Sequence, residues 1–179
     1  MPKLTSVKVS IQLPYLGGIE GIWEPDESEQ SAAWELYIEL VTRISIVELQ
    51  PNEGLLREAL TSLFTLFDTT RKIMRTYGPS VARPKGNSDF SFGYLAVAIL
   101  NGLLRPTLAK WHPLLLRYEN SRLAAVSSVE HEQQWESNEQ LRQDLNHVRS
   151  VRIECANLLA QVAEVPSLIP QVEELEDHT

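Results

Sequence analysis

Leu56, Leu60, Leu63, Phe67, Thr70, Met74 and Tyr77 follow one another at alternating spacings of four and three residues. A mean spacing near 3.5 places all seven on one helical stripe, shaped as a seam for a second helix crossing at a shallow angle. A strand, with its period of two, would scatter the same side chains over both faces. The rhythm returns at Leu141, Leu145, Val148, Arg152, Cys155, Leu159 and Val162. A related stripe, Ala33, Tyr37, Leu40 and Ile44, is widened by Trp34, Ile38 and Val41. Tyr94 to Leu104 is nearly apolar all round, which predicts the most buried helix of the set.

Start and stop signals divide these stripes. Asp26 is a candidate N-cap, and Glu27 and Glu29 suit the positive end of a helix over about 27–46. Gln50-Pro51-Asn52-Glu53-Gly54 breaks the chain, and Gly78-Pro79 ends a second helix over about 53–77. Residues 78–88 read as a loop. Ser88 or Asp89 is placed to cap a third helix, which Pro106 and Pro113 should kink near 102–106 and 110–113. After a polar loop at 119–127, Ser127 and Glu130 form a capping box that opens a last helix to about 164. Its first turns, Glu130 to Glu139, are polar apart from Trp135 and are expected to project past the body. At the other end Val7, Val9, Ile11 and Leu13 alternate with Lys8, Ser10 and Gln12 until Pro14. Gly17-Gly18 offers a turn and Ile19 to Trp23 a return strand. The expected fold is mainly α: an antiparallel four-helix bundle with a small N-terminal β-hairpin over about 4–23. One domain should occupy 1–165, followed by a flexible acidic tail over 166–179.

Composition narrows the function classes. With 43% hydrophobic and 22% charged residues, the 179-residue chain fits a globular protein. Cys155 is the single cysteine, which excludes an internal disulfide framework and a multi-cysteine zinc site. The opening MPKLTSVKVS has no apolar run of a secretory signal. The apolar run from Phe92 to Leu104 is shorter than the ~20 residues a bilayer span needs. A cytoplasmic protein without a membrane segment is therefore expected. Phosphate-loop, dinucleotide, H-E-x-x-H and G-x-S-x-G motifs are not found in the sequence, and no cofactor is expected.

The net charge of −8 is unevenly spread. Residues 51–90 are net +2 and 91–128 net +3, whereas 1–50 are net −5 and 129–179 net −8. Attraction between the two halves accounts for this, although exposed ion pairs are worth only about 0–1 kcal/mol each. Arg71, Lys72, Arg75, Arg83 and Lys85 are the candidates for a phosphate- or acid-binding patch. Only Tyr77 interleaves them, so base stacking has little support and nucleic-acid binding is not expected. Glu130-His131-Glu132 is the best local metal cluster, but consecutive helical residues diverge. Cys155, on the apolar seam, reads as a buried thiol. Asn101 could be a buried polar residue in a helical seam or bond to nearby backbone. Trp111 and His112 flank a predicted kink, where a ligand pocket could form beside Asn101.

Arg142 and His147 enclose four residues, and Arg105 and His112 enclose six. Both spacings resemble the R-x(4–6)-H signature of the HEPN superfamily. That resemblance implies a dimeric α-helical ribonuclease in which paired arginine and histidine activate the RNA 2′-hydroxyl. An imidazole near neutral pKa would move the proton and a guanidinium steady the phosphate. Gln143 and Pro106 follow the arginines, where active members usually carry Asn, Asp or His. On a helix, Arg142 and His147 would stand about 140° apart. AAWELYIELVTRI, EGLLREALTSLFTLFDTTR and LLRPTLAKWHPLL are similar to stretches of uncharacterised bacterial helical proteins found beside conflict or defence genes. No catalytic residue follows from that similarity.

The leading expectation is a non-enzymatic interaction or adaptor module that self-associates, as a homodimer, or docks on a larger protein. The hairpin edge or the last helix would carry the contact. A HEPN-like ribonuclease and a small-ligand sensor are the alternatives.

Overall fold

The computed structural model describes residues 6–43 and 50–169. Leu4 and Thr5 of the expected hairpin, Ile44 of the first stripe, and the tail beyond residue 169 lie outside the described residues.

The fold is mainly helical with one two-stranded antiparallel hairpin. Strand β1 (Val7–Leu13) pairs with β2 (Gly17–Trp23) from Val7 opposite Trp23 to Leu13 opposite Gly17. Val7, Val9, Ile11 and Leu13 all point into the core, as their alternation requires. The turn is Pro14 to Leu16 rather than Gly17-Gly18. Gly17 opens β2 at φ 82°, a conformation a Cβ would resist, and closes a three-residue loop.

Among the described residues five helices follow: α1 (Glu27–Val41), α2 (Leu56–Tyr77), α3 (Phe92–Glu119), α4 (Ser128–Gln133) and α5 (Asn138–Val162), with a 3₁₀ turn at Gly78–Ala82. Four were expected, and the fifth arises because the last stripe breaks. The Ser127–Glu130 capping box is present, but the helix it starts ends after six residues. The chain then turns so that Trp135 packs edge-on against Trp111 and stacks on Tyr118. The same turn carries the Glu132 carboxylate to the start of α2, where it accepts from Leu56 N at 2.8 Å and Arg57 N at 3.4 Å. Leu55, the N-cap of α2, supplies no side-chain cap, so this distant carboxylate does so. The polar start therefore folds back on the body instead of projecting.

Asp26 and Glu29 form a reciprocal capping box at α1. Ser91, not Ser88 or Asp89, caps α3. The latter pair instead extends the outer edge of β2. Asp89 exchanges two bonds with Ile22, each 2.8 Å, and Ser88 Oγ accepts from Glu24 N at 2.6 Å. α3 runs unbroken through Pro106. A π turn at Leu100–Leu104 widens the helix, and Arg105 N donates to Leu100 O. Gly102 in that turn lies against the hairpin tip, where a Cβ would come within 2.6 Å of Leu16 Cδ1.

β1 packs on α5, α1 sits between α5 and α2, and α2 runs beside α3. Every member of the α5 stripe is buried, including Arg152 at 0% exposure. Its guanidinium donates to Leu40 O at 2.9 Å, and burial, helped by nearby Arg43, lowers its pKa to about 10. Burial likewise pushes the Cys155 thiol up to about 12, which makes it unreactive. The 28-residue α3 is long and apolar enough to cross a membrane, with a mean hydropathy of 1.3 over its most apolar window. Two thirds of that window is buried inside the fold, as in the core helix of a globular protein.

Candidate functional site

Because the π turn keeps α3 continuous across Pro106, Tyr94, Val97, Asn101, Arg105, Leu108 and His112 form one long row beside α2. The facing row on α2 is Met74, Arg71, Phe67, Phe64 and Arg57. Late α2 meets early α3 and early α2 meets late α3, so the helices are antiparallel and a groove runs between them. Three cavities lie along it. The first, about 570 Å³, is lined by Leu16, Met74, Tyr94, Val97 and Asn101. The second, about 280 Å³, lies between Phe64, Phe67, Arg71, Arg105 and His112. The third, about 270 Å³, is bounded by Leu55, Arg57, Tyr118, Glu119 and His131.

Hydrogen bonds tie the three together. Arg105 Nε donates to Asn101 Oδ1 at 2.9 Å, between the first and second cavities. Arg57 joins the second and third. Its Nε and Nη2 donate to Glu119 at 2.9 and 2.8 Å, a bidentate pair. Its Nη1 contacts His112 Nδ1 at 2.8 Å. A guanidinium only donates, so Nδ1 is the acceptor and the imidazole is neutral with its proton on Nε2. Burial, then the Arg57 charge, holds the His112 pKa below its usual value, while Glu119 pulls the other way. The Phe64 ring meets His112 edge-on at 5.9 Å. Arg71 and Arg105 both lie over the Phe67 ring, with Cζ 5.8 and 5.3 Å from its centroid.

The structure scatters most of the sequence candidates. Of the basic patch, Arg71 lines the groove and Lys72 lies toward α1 beside Trp34 and Glu39. Lys85 is held 2.7 Å from Asp26 and 3.2 Å from Glu29. Arg75 and Arg83 are exposed and line none of the three groove cavities. Arg142 is buried, donating to Asn138 Oδ1 at 3.0 Å and to the Gln50 and Glu53 carbonyls at 3.2 Å each. His147 is exposed and makes none of these contacts. Arg105 and His112 do share a cavity. Trp111 is buried, with its indole N–H on Asp144 Oδ2 at 2.8 Å, so it fills the core rather than a pocket. Asp144 also accepts from Lys110 and Gln140, and these bonds outweigh burial to lower its pKa. Asn101 is exposed, in the groove, and not in a buried seam. Among the described residues no three His, Cys, Asp or Glu side chains converge on a metal position.

Sequence reasoning missed Phe64, Tyr94 as a groove residue, and the Arg57–Glu119 pair. Phe64 had one signal: a large aromatic immediately off the four-three stripe. Arg57 and Glu119 are 62 residues apart and had none. Compared with family models, curated proteins and solved structures, the chain shows no match.

Proposed function

We propose that this chain is a non-enzymatic interaction module, an adaptor whose four long helices form an antiparallel bundle and whose α2–α3 groove docks a larger protein. The occupant is an amphipathic segment of that partner carrying acidic side chains. One observation carries the reading: Phe64 and Tyr94, 58% and 54% exposed, line neighbouring cavities along a single groove between two helices. Large apolar side chains aligned in this way mark an interaction surface, and a helical segment laid in such a groove reads them at three- and four-residue spacing. Charge selects the partner. Residues 51–128, which carry both groove helices, are net +5 within a chain of −8. An acidic segment is steered to that face. The setting implied by the sequence similarity, a bacterial defence or signalling system in the cytoplasm, belongs to this proposal.

The test places a photocrosslinking benzophenone side chain at position 64, with position 147 on α5 as control. The captured segment is then synthesised and its binding measured by fluorescence anisotropy. Burying one aromatic side chain is worth about 1.5–3 kcal/mol, so Phe64→Ser should weaken binding roughly ten- to a hundredfold. His147→Ala should leave it unchanged. A dimer in light scattering that Phe64→Ser dissociates would assign the groove to a second copy. The shared cavity of Arg105 and His112 favours a HEPN-like ribonuclease as second reading. RNA cleavage abolished by His112→Ala but retained by Phe64→Ser would replace docking with that activity.

A further inference from the structure

We infer that the middle of the groove is an anion clamp, in which Arg71 and Arg105 hold a carboxylate or phosphate group that arrives on an apolar carrier. In calling that carrier a side chain of the docked segment, the inference rests on the docking function; the clamp itself does not. The two guanidiniums come from different helices, lie 5.8 and 5.3 Å from the centroid of one ring, Phe67, and line the same cavity. Stacking engages the flat face of a guanidinium and leaves its N–H edge for hydrogen bonds, the arrangement that suits a planar oxyanion. No carboxylate lines the cavity that holds them.

The neutralisation of neighbouring charges sharpens the case. Arg57, the third arginine of the groove, is already saturated by its bidentate bond to Glu119. Arg105 has no ion pair among the described residues; its Nε is spent on Asn101, which sets the side chain's direction. Arg71 has one ion pair among the described residues, 3.6 Å to Asp68, whose side chain is 86% exposed. Such a pair is screened and weak. Two cations thus share a small cavity with no carboxylate in its lining and only the exposed Asp68 near one of them, and an anion placed between them relieves their repulsion. His112 stands on the same wall with its Nδ1 taken by Arg57, leaving Nε2–H as a neutral donor. Leu108, Ala109 and Phe64 complete the lining and accept the apolar carrier. Lys72 and Lys85 lie elsewhere and add no charge to this cavity.

The experiment uses the full chain, ¹⁵N-labelled, titrated with phenyl phosphate, phenylacetate and neutral benzyl alcohol while the arginine Nε–H signals are followed. Both anions should give saturable shifts, with Arg71 and Arg105 moving together and benzyl alcohol at least tenfold weaker. Arg71→Gln and Arg105→Gln should each weaken anion binding about tenfold or more. Arg105→Lys, which keeps the charge and loses the fork, should fall between. Both arginines are exposed, so these variants should fold, as circular dichroism will check. Tighter phenyl phosphate would identify a phosphorylated side chain, and equal binding a carboxylate. Shifts that do not saturate, that benzyl alcohol matches, or that persist in both glutamine variants would overturn the clamp. Tighter binding of a thymidine dodecamer, lost in the same variants, would overturn it in favour of a nucleic-acid surface. Because these probes need no partner, the clamp can fail while Phe64→Ser still abolishes docking, and the reverse.

Discussion

Glu29 sits at 1% exposure where four parts of the chain meet, and replacing it should be among the most damaging single changes. Its Oε1 accepts from Phe92 N at 2.9 Å, the first residue of α3, and from the Trp23 indole at the end of β2 at 3.3 Å. Its Oε2 accepts from Asp26 N at 3.2 Å and lies 3.2 Å from Lys85 Nζ. Glu29→Ala leaves the Phe92 and Trp23 N–H groups buried without a partner, at about 1–3 kcal/mol each. Lys85 keeps Asp26 at 2.7 Å, so its charge is not stranded and adds little to the loss. The expected cost is about 2–6 kcal/mol, against a total stability of about 5–15 kcal/mol for an ordinary domain. At roughly 2–4 °C per kcal/mol for a chain of this size, melting should fall by about 4–24 °C. Glu29→Gln retains one acceptor oxygen for Phe92 N and should lose about half as much. Urea unfolding followed at 222 nm gives both values, and amide exchange at Phe92 reports the same break locally. An alanine variant within about 1 kcal/mol of wild type would show that the hub does not hold the hairpin, α1 and α3 together. A glutamine variant as damaged as alanine would show that charge, not the acceptor, is what matters.

Three further outcomes follow from the same reasoning. His112 has a lowered pKa in the folded chain, so its contribution is complete above the unfolded value of about 6.5 and is lost as pH falls through the folded value. Between pH 7 and 5 the wild type should therefore lose more stability than His112→Gln, and parallel urea midpoints would contradict this. Arg142→Met should cost about 1–3 kcal/mol by releasing the Gln50 and Glu53 carbonyls, while exposed His147→Ala should stay within about 0.5 kcal/mol of wild type. Urea unfolding of both variants separates a structural arginine from its sequence neighbour. Leu63→Ala, at a fully buried seam position, should cost about 2–5 kcal/mol in the same assay.

The local elements were largely legible in the sequence. Alternation at Val7 to Leu13 and the stripes of α2 and α5 report which face meets apolar surroundings, and that preference holds wherever the element is placed. Asp26, Ser127 and the Gly78-Pro79 stop act through neighbouring backbone, so they too can be read along the chain. Errors came where a distant residue decided. Ser88 and Asp89 have the right chemistry for a cap, but the open edge of β2 claimed them and Ser91 took the helix. Residues 128–137 favour a continuing helix, yet burying Trp135 against Trp111 and placing Glu132 on α2 outweighs a few helical bonds. Pro106 lacks the N–H of a helical turn, and the π turn before it keeps α3 continuous, with Gly102 there leaving room for the hairpin tip.

The candidate site was legible only as scattered residues. Arg71 stood in one list and Arg105 and His112 in another, and nothing in their spacing joined them. The amino-acid order determined a helical chain with a hairpin and an uneven charge, because periodicity and capping act over one or two turns. Tertiary packing decided that the two basic helices lie side by side, that Phe67 draws a guanidinium from each, and that Glu119 neutralises Arg57 but not its neighbours. Contacts between side chains 30 to 60 residues apart depend on how helices are set against one another, and local sequence does not encode that arrangement.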